Sequence, residues 1–325
     1  MNNTPRILSV GSGLLDAFLT IEDANKHCRV TGNEFCIRFG DKIQLSSAEF
    51  QLGGNACNVS VGLSRLGLSS SLMAEIGLDE FSESILAILH KENVDTSHVV
   101  RGNVPSSFAI GLNFNNERTL FVQHRLREHR FHQPSEKFDF VYLTSMGREW
   151  KDAYITTVEY VKAHSIPLFF NPGTPQISEG KDNILEPLSE AAVLFVNKTE
   201  GCTLTGLSED TSVKEILKAL SLLGPKVVSV TDGRNGSYSL DADGKMYHVG
   251  IHDSPVIERT GAGDAFATGF SGARVLGKNI AECMQWGTLN AASVVGKVGA
   301  ETGLLTREEL EERFVAEGSL PVQEL

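Results

Sequence analysis

The sequence predicts an α/β protein whose mostly parallel central sheet is flanked by helices, with a small antiparallel β lid. Two observations support this prediction. Short apolar runs alternate with longer amphipathic stretches along most of the chain, which is the rhythm of a parallel sheet covered on both faces. Two regions, about 17–51 and 106–123, break the rhythm because they are rich in strand-like runs and turns. We expect residues 1–325 to form one domain, with its lid built from these two insertions.

The elements follow from apolar spacing. Ala56, Val59, Leu63 and Leu66 recur at helical intervals, whereas runs such as "RILSV" are short, apolar and β-rich. The predicted strands of the main sheet are 6–10, 71–76, 138–144, 167–171, 193–197 and 227–233, and the predicted helices are 55–67, 80–93, 151–164 and 211–222. The segment "SSFAIGLNFNNERTLFVQ" is typical of a hairpin that turns around "NFNNER".

Composition and charge exclude several classes of protein. The 325-residue chain is 41% hydrophobic and 22% charged, as is usual for globular proteins, and no apolar run is long enough for a transmembrane helix. A net charge of −12 argues against binding to nucleic acid or to an anionic membrane. The 5 cysteines are scattered without a Cys-x-x-Cys pair, so we expect no zinc cluster and a reduced, cytoplasmic setting.

Two glycine-rich segments near the N-terminus are candidate binding turns. "GSGLLD" at 11–16 lacks the third glycine of a dinucleotide-binding turn, so we expect it to bend the chain and direct Asp16 into a cleft. "GGNACN" at 53–58 opens a helix, with Asn55 as its candidate N-cap. Gly53 and Gly54 would allow close approach of a ligand, and the amides of Asn55 and Asn58 would bind its hydroxyl groups.

The segment "RTGAGDAFATGF" at 259–270 gives the sharpest signal. Its glycines precede an amphipathic helix, and the first N–H groups of a helix lack helical acceptors and attract anions. Asp264 lies in that first turn, where a carboxylate would repel a phosphate unless it had a role there. The role that fits is to accept a proton from an attacking hydroxyl group, although a plain helix-dipole contact is the alternative.

These segments resemble the signature regions of the ribokinase-like (PfkB) family of carbohydrate kinases. "GGNACNVSVGLSRLG" is similar to the N-terminal signature and "ERTGAGDAFATGFSGARVLG" to the C-terminal one. "NKTE" at 197–200 resembles the family's Asn-x-x-Glu motif, and "TDGRNG" at 231–236 its nucleotide loop. The resemblance covers nearly the whole chain and implies transfer of the γ-phosphoryl group of ATP to a sugar hydroxyl.

The resemblance also implies roles for individual residues. Asp264 would be the general base, and the backbone of Gly261, Ala262 and Gly263 would stabilise charge in the transition state. The remaining implied roles are sugar binding by Asp16, Gly53, Gly54, Asn55 and Asn58; placement of Mg²⁺ and phosphate, through water, by Asn197 and Glu200; and ATP binding by Thr231, Gly233, Gly236 and, near the adenine, Asn290. In some members a K⁺ ion lies beside the anion turn, at positions matched here by Glu258 and Thr260. Lid edges pair in many relatives, which makes a homodimer one expected arrangement.

The sequence leaves the acceptor open. A free sugar is the default, and a nucleoside is the alternative within the family, with Phe108, Phe114 and Phe121 as candidate stacking residues. The basic cluster "HRLREHR", which contains Arg125, Arg127 and Arg130, is either a grip on an acidic or phosphorylated sugar or a solvated loop. A sugar or nucleotide sensor without turnover is the competing class, and a nicotinamide-dependent oxidoreductase is disfavoured by the missing glycine.

Overall fold

The computed structural model describes residues 4–21, 28–32, 34–114, 117–316 and 320–325. The strands, in chain order, are β1 Arg6–Val10, β2 Leu14–Ile21, β3 Cys28–Thr31, β4 Glu34–Ile37, β5 Leu45–Gly53, β6 Ser69–Met73, β7 Glu75–Ile76, β8 Val100–Arg101, β9 Ser107–Phe114, β10 Glu117–Gln123, β11 Phe140–Thr144, β12 Leu168–Asn171, β13 Ala191–Asn197, β14 Val228–Thr231, β15 Ser237–Leu240, β16 Met246–Val249 and β17 Val322–Glu324. The helices are α1 Asn55–Arg65, α2 Glu80–Lys91, α3 Lys151–His164, α4 Thr174–Ser178, α5 Leu185–Glu190, α6 Lys198–Thr205, α7 Val213–Ser221, α8 Ala262–Val275, α9 Ile280–Val295 and α10 Arg307–Ala316.

The central sheet has nine strands in the order β17-β16-β15-β14-β13-β12-β11-β1-β6. The strands from β6 to β14 pair in parallel, whereas β15, β16 and β17 extend the sheet as an antiparallel edge. The predicted fold class is therefore confirmed. The carboxyl ends of the parallel strands meet at one edge, which is where ligands bind in sheets of this kind.

Helices cover both faces of this sheet because neighbouring strand residues point in opposite directions. On one face, Phe169 and Phe195 belong to a buried cluster with Phe266, Phe270 and Trp286 of α8 and α9. On the other face, Phe170 packs with Tyr154 of α3 and Leu217 of α7. The continuous apolar runs of the strands are explained by this burial on both sides.

The predicted element boundaries differ from the observed ones by a few residues. The helix predicted over 151–164 and the strand over 6–10 match α3 and β1. The run 71–76 contains a break at Ala74, so it forms parts of β6 and β7 instead of one strand. Asn55 is the first residue of α1, and Gly54 is its N-cap, so the predicted N-cap at Asn55 was one residue late.

A second sheet, in the order β10-β9-β2-β5, forms the predicted lid. Most of its pairs are antiparallel, but β2 runs parallel to β9. The lid begins at Leu14, the first residue of β2. Asp16 therefore lies within a lid strand and not in the turn before it. The predicted hairpin is formed by β9 and β10; its turn residues 115–116 lie outside the described residues. β3 and β4 form a separate two-stranded sheet.

Candidate active site

A cleft of about 780 Å³ lies between the lid and the carboxyl edge of the central sheet. Its walls carry residues from all five predicted motifs, among them Asp16, Asn58, Asn197, Thr231 and Asp264. A second cavity of about 480 Å³ adjoins it and shares Thr174, Ser178, Asn197, Glu200 and Thr231 with it. The two cavities thus form one site with two lobes, which suits two small ligands that meet at the shared wall.

Asp264 lies in the first turn of α8, and its carboxylate is nearly fully buried. Burial raises the pKa of this carboxyl group to about 7, and the negative charge of Glu200 acts in the same direction. Asn58 opposes the rise, because its Nδ2 atom donates a hydrogen bond of 2.9 Å to Asp264 Oδ2. A carboxyl group with a pKa near neutrality can exchange a proton with a ligand at physiological pH.

The start of α8 is a glycine turn at the cleft surface. Gly261 is the N-cap with a φ of 78°, and an added Cβ there would lie 2.4 Å from the Cβ of Ala300, so glycine is required. Gly261 and Gly263 line the cleft. The Ala262 N–H donates a hydrogen bond to the Arg259 carbonyl at 3.3 Å. The Gly263 N–H, in contrast, bonds to no backbone carbonyl of the described residues. Within the predicted anion turn it is therefore Gly263, and not Ala262, whose N–H group is available to a ligand.

One side of the cleft, where we predict substrate binding, is formed by β2 and the start of α1. Asp16 and the amides of Asn55 and Asn58 line it together. Gly53 leaves room for the Asp16 carboxylate, since an added Cβ would lie 2.6 Å from that group. Gly54, with a φ of 95°, brings the chain close to the Ser12 carbonyl oxygen. The predicted substrate residues are therefore brought together, although their roles stay predictions.

Asn197 and Glu200 meet at the N-terminus of α6 on the shared wall. Each caps the other: Asn197 Oδ1 accepts a hydrogen bond from the Glu200 N–H, and Glu200 Oε2 accepts one from the Asn197 N–H, both at 2.8 Å. Burial raises the pKa of Glu200. The capping leaves one carboxylate oxygen of Glu200 to interact with a hydrated cation, so this pair fits Mg²⁺ held through water better than Mg²⁺ bound directly. The described residues contain no cluster of three or more metal-ligating side chains.

The predicted nucleotide residues divide into two groups. Thr231 and Gly233 line the smaller cavity. Gly236 immediately precedes β15, and its backbone approaches the Val249 carbonyl. Asn290 is 1% exposed; its amide donates to the Ala265 carbonyl at 2.8 Å and accepts from the Leu305 N–H at 3.0 Å. Asn290 thus links α9 to α8 and to the segment before α10, and it does not line the cleft or the smaller cavity.

The residues predicted for a monovalent cation lie beside the anion turn. Glu258 accepts a hydrogen bond from the Gly299 N–H at 2.9 Å, which joins the loop before α8 to the loop after α9. Thr260 lines the cleft. A bound K⁺ stays a prediction here.

The basic cluster after β10 does not act as a unit. Arg127 is buried and donates to the carbonyl oxygens of Glu75 and Pro105 at 2.7 and 2.6 Å, so it fastens the segment to the core. Arg130 pairs with Glu128 at the surface. His129 is buried, and burial lowers its pKa to about 4. Neither predicted alternative, an anion grip or a solvated loop, describes the whole cluster.

Sequence reasoning missed Ser145 and Asn171, which line the cleft. His124, which belongs to the predicted basic cluster, lines it as well. Asn171 ends β12, and Ser145 follows β11, so the polar residue at the carboxyl end of each parallel strand was the signal that could have found them. The proposed stacking residues do not line the cleft: Phe114 stacks on Phe35 in the lid, with ring centroids 4.7 Å apart.

The fold and the two-lobed site define a class of α/β proteins that bind small ligands between a parallel sheet and a lid. The model of the pfkB family of carbohydrate kinases matches residues 21–307. The chain belongs to this family and is a phosphotransferase that acts on an alcohol group.

Relatives carry three kinds of name. A nucleoside kinase of Methanocaldococcus jannaschii is 26% identical over 281 residues, which cover 84% of this chain and 88% of that protein. An uncharacterized sugar kinase of Archaeoglobus fulgidus is 27% identical over 75% of this chain and 98% of its own length. A 5-dehydro-2-deoxygluconokinase of Bacillus subtilis is 24% identical over 82% of this chain and 87% of its own length.

Solved structures share the fold. The M. jannaschii nucleoside kinase superposes with a TM-score of 0.78 at 23% identity over 95% of this chain and 98% of that one. An Arabidopsis thaliana ribokinase complexed with ribose and ATP gives 0.77 at 22% identity, with the same coverage. Among the described residues, no helix combines the length and the apolar character needed to cross a membrane.

Proposed function

We propose that this protein transfers the γ-phosphoryl group of ATP to a hydroxyl group of a sugar, either free or within a nucleoside. The observation that carries the proposal is the position of Asp264: a buried carboxyl group with a pKa of about 7, in the same first turn of α8 as the glycine N–H groups. A proton acceptor and an anion-binding turn are the two groups that in-line phosphoryl transfer needs side by side.

In the proposed reaction, Asp16, Asn55 and Asn58 hold the acceptor so that one hydroxyl group faces Asp264. Asp264 removes the hydroxyl proton as the oxygen attacks the γ-phosphorus, and the bond to the β-phosphate oxygen breaks to release ADP. The N–H groups of Gly261 and Gly263 stabilise the charge on the transferred group. The lid covers the cleft and excludes water, which limits hydrolysis of ATP.

The smaller cavity, with Thr231 and Gly233, is the proposed site for the rest of ATP. Bound Mg²⁺ would neutralise phosphate charge next to Asn197 and Glu200. A K⁺ ion beside Glu258 and Thr260 would add to the positive potential of the anion turn.

The test is the variant Asp264→Asn, assayed by ADP release with ATP, Mg²⁺ and a panel of sugars and nucleosides. We expect kcat to fall on the order of 10²–10⁴-fold, while ATP still binds, because the general base is lost. The matched control is Asp16→Asn, which should raise the acceptor KM more than it lowers kcat. Unchanged turnover in Asp264→Asn would refute the assignment. Tight binding of a sugar without turnover by the unmodified protein would favour the sensor.

A further inference from the structure

The lid strand β10 presents two different surfaces. Leu120 and Val122 line the cleft, as does His124 just after the strand. The residues between them, Phe121 and Gln123, point to the opposite face because side chains alternate along a strand. The lid therefore contributes aliphatic side chains and one imidazole to the acceptor lobe.

Both aliphatic side chains are about half exposed. Leu120 is 46% and Val122 50% exposed, although both lie on a concave wall and not on the outer surface. Apolar groups that line a cleft favour a ligand that removes them from water. A ligand hydroxylated on every side would leave this surface unsatisfied.

The charges of the cleft are negative. Asp16, Glu200 and Asp264 line it, and among the described residues that line it there is no lysine or arginine. Arg127 and Arg130 of the neighbouring basic cluster are engaged by carbonyl oxygens and by Glu128. Partial burial lowers the pKa of His124, which favours the neutral ring, a hydrogen-bonding group without charge.

We propose that Leu120, Val122 and His124 are specificity-determining residues, and that the acceptor is an uncharged glycoside whose apolar or flat substituent packs on Leu120 and Val122. Nucleosides belong to this chemical class, whereas sugar acids and sugar phosphates do not. The sugar hydroxyl groups would then face Asp16, Asn58 and Asp264, with the substituent toward the lid. This inference rests on the proposed kinase function.

The first experiment compares acceptors: inosine and adenosine, ribose, gluconate and fructose 6-phosphate, each with ATP and Mg²⁺. We expect kcat/KM for a nucleoside to exceed that for ribose by about 10-fold or more, as an apolar contact contributes, and to exceed that for either anion by about 100-fold or more. An anion used as well as the best uncharged acceptor would overturn the proposal, as would ribose used as well as both nucleosides.

The second experiment changes the cleft surface that Leu120 and Val122 form. Val122→Lys places a cation on the cleft face, and Gln123→Lys places the same charge one residue away on the opposite face. We expect Val122→Lys to lower kcat/KM for the nucleoside about 10-fold or more and to narrow its preference over the anions, while Gln123→Lys changes neither. Equal effects of the two variants, with equal thermal stability, would refute the role of β10.

Failure of the kinase function is distinguishable from failure of this inference. If no acceptor releases ADP, the kinase proposal fails, and isothermal titration of the same compounds then tests the wall directly. Nucleoside binding that is weakened by Val122→Lys but not by Gln123→Lys would still support it. Preferred binding of gluconate or fructose 6-phosphate, or no difference between the two variants, would overturn it.

Discussion

The hydrogen bond from Asn58 to Asp264 predicts a specific change in pH dependence. The bond is 2.9 Å long and stabilises the ionised carboxylate, so its removal in Asn58→Ala should raise the pKa of Asp264 above its value of about 7. A hydrogen bond to a buried charged group is worth about 1.5–3 kcal/mol, and 1.4 kcal/mol corresponds to about one pKa unit, so we expect a rise of about 1–2 units.

The sign of the effect on activity follows from the role of the base. Asp264 must be deprotonated to accept a proton, so activity rises with pH through its pKa. At pH 7 the ionised fraction would fall from about one half to roughly 1–10%, which lowers kcat/KM about 5–50-fold, with recovery as the pH is raised. The assay is kcat/KM for the acceptor at saturating ATP from pH 5.5 to 9.5.

Asn55→Ala is the matched control, because Asn55 lines the same cleft but makes no hydrogen bond to Asp264 within the described part of the chain. It should weaken acceptor binding at every pH without moving the acidic limb. If the acidic limb of the kcat/KM profile lies at the same pH in Asn58→Ala and in the unmodified protein, the reasoning is refuted and Asn58 acts only in binding.

The other predictions concern α8. Gly261→Ala should lower the free energy of unfolding by about 1–3 kcal/mol, because the added methyl group meets Ala300 and the φ of this residue is positive. At Gly263 an added Cβ meets nothing within 4 Å, so Gly263→Ala should leave the Tm unchanged. It should nevertheless lower kcat about 10-fold or more, because the methyl group narrows the anion turn. Chemical denaturation and steady-state kinetics separate the two, and similar Tm losses in both would contradict the geometry. Asp264→Asn should also be more stable than the unmodified protein above pH 7. Because the pKa of Asp264 in the folded state exceeds its ordinary value, the free energy of unfolding of the unmodified protein falls by up to about 4 kcal/mol as the pH rises from about 4 through 7, whereas that of the neutral variant does not. If the difference in unfolding free energy between the two proteins stays constant from about pH 5 to about 8.5, ionisation of Asp264 does not destabilise the fold.

The sequence by itself determined the six parallel strands of the main sheet, because each is a continuous apolar run, but it did not predict the antiparallel strands β15, β16 and β17. It also predicts an anion-binding turn at the start of α8, since Gly263 and the acidic Asp264 are adjacent in the chain and the chemistry of a helix start is local. Homodimerisation through the lid stays a prediction; Phe50 and Phe121, 62% and 57% exposed, lie on the lid.

The tertiary structure alone decided which distant residues meet. Asn58 and Asp264 are 206 positions apart, so their hydrogen bond and the burial that sets the pKa of Asp264 arise only when α1 packs beside α8. The tertiary structure also decided the partners of Arg127, which the sequence offered as an anion-binding residue but which donates to two carbonyl oxygens. Likewise, Asn290 of α9 donates to the Ala265 carbonyl of α8. Local spacing specifies secondary structure, whereas desolvation and pairing of polar groups depend on what the fold brings within a few ångströms.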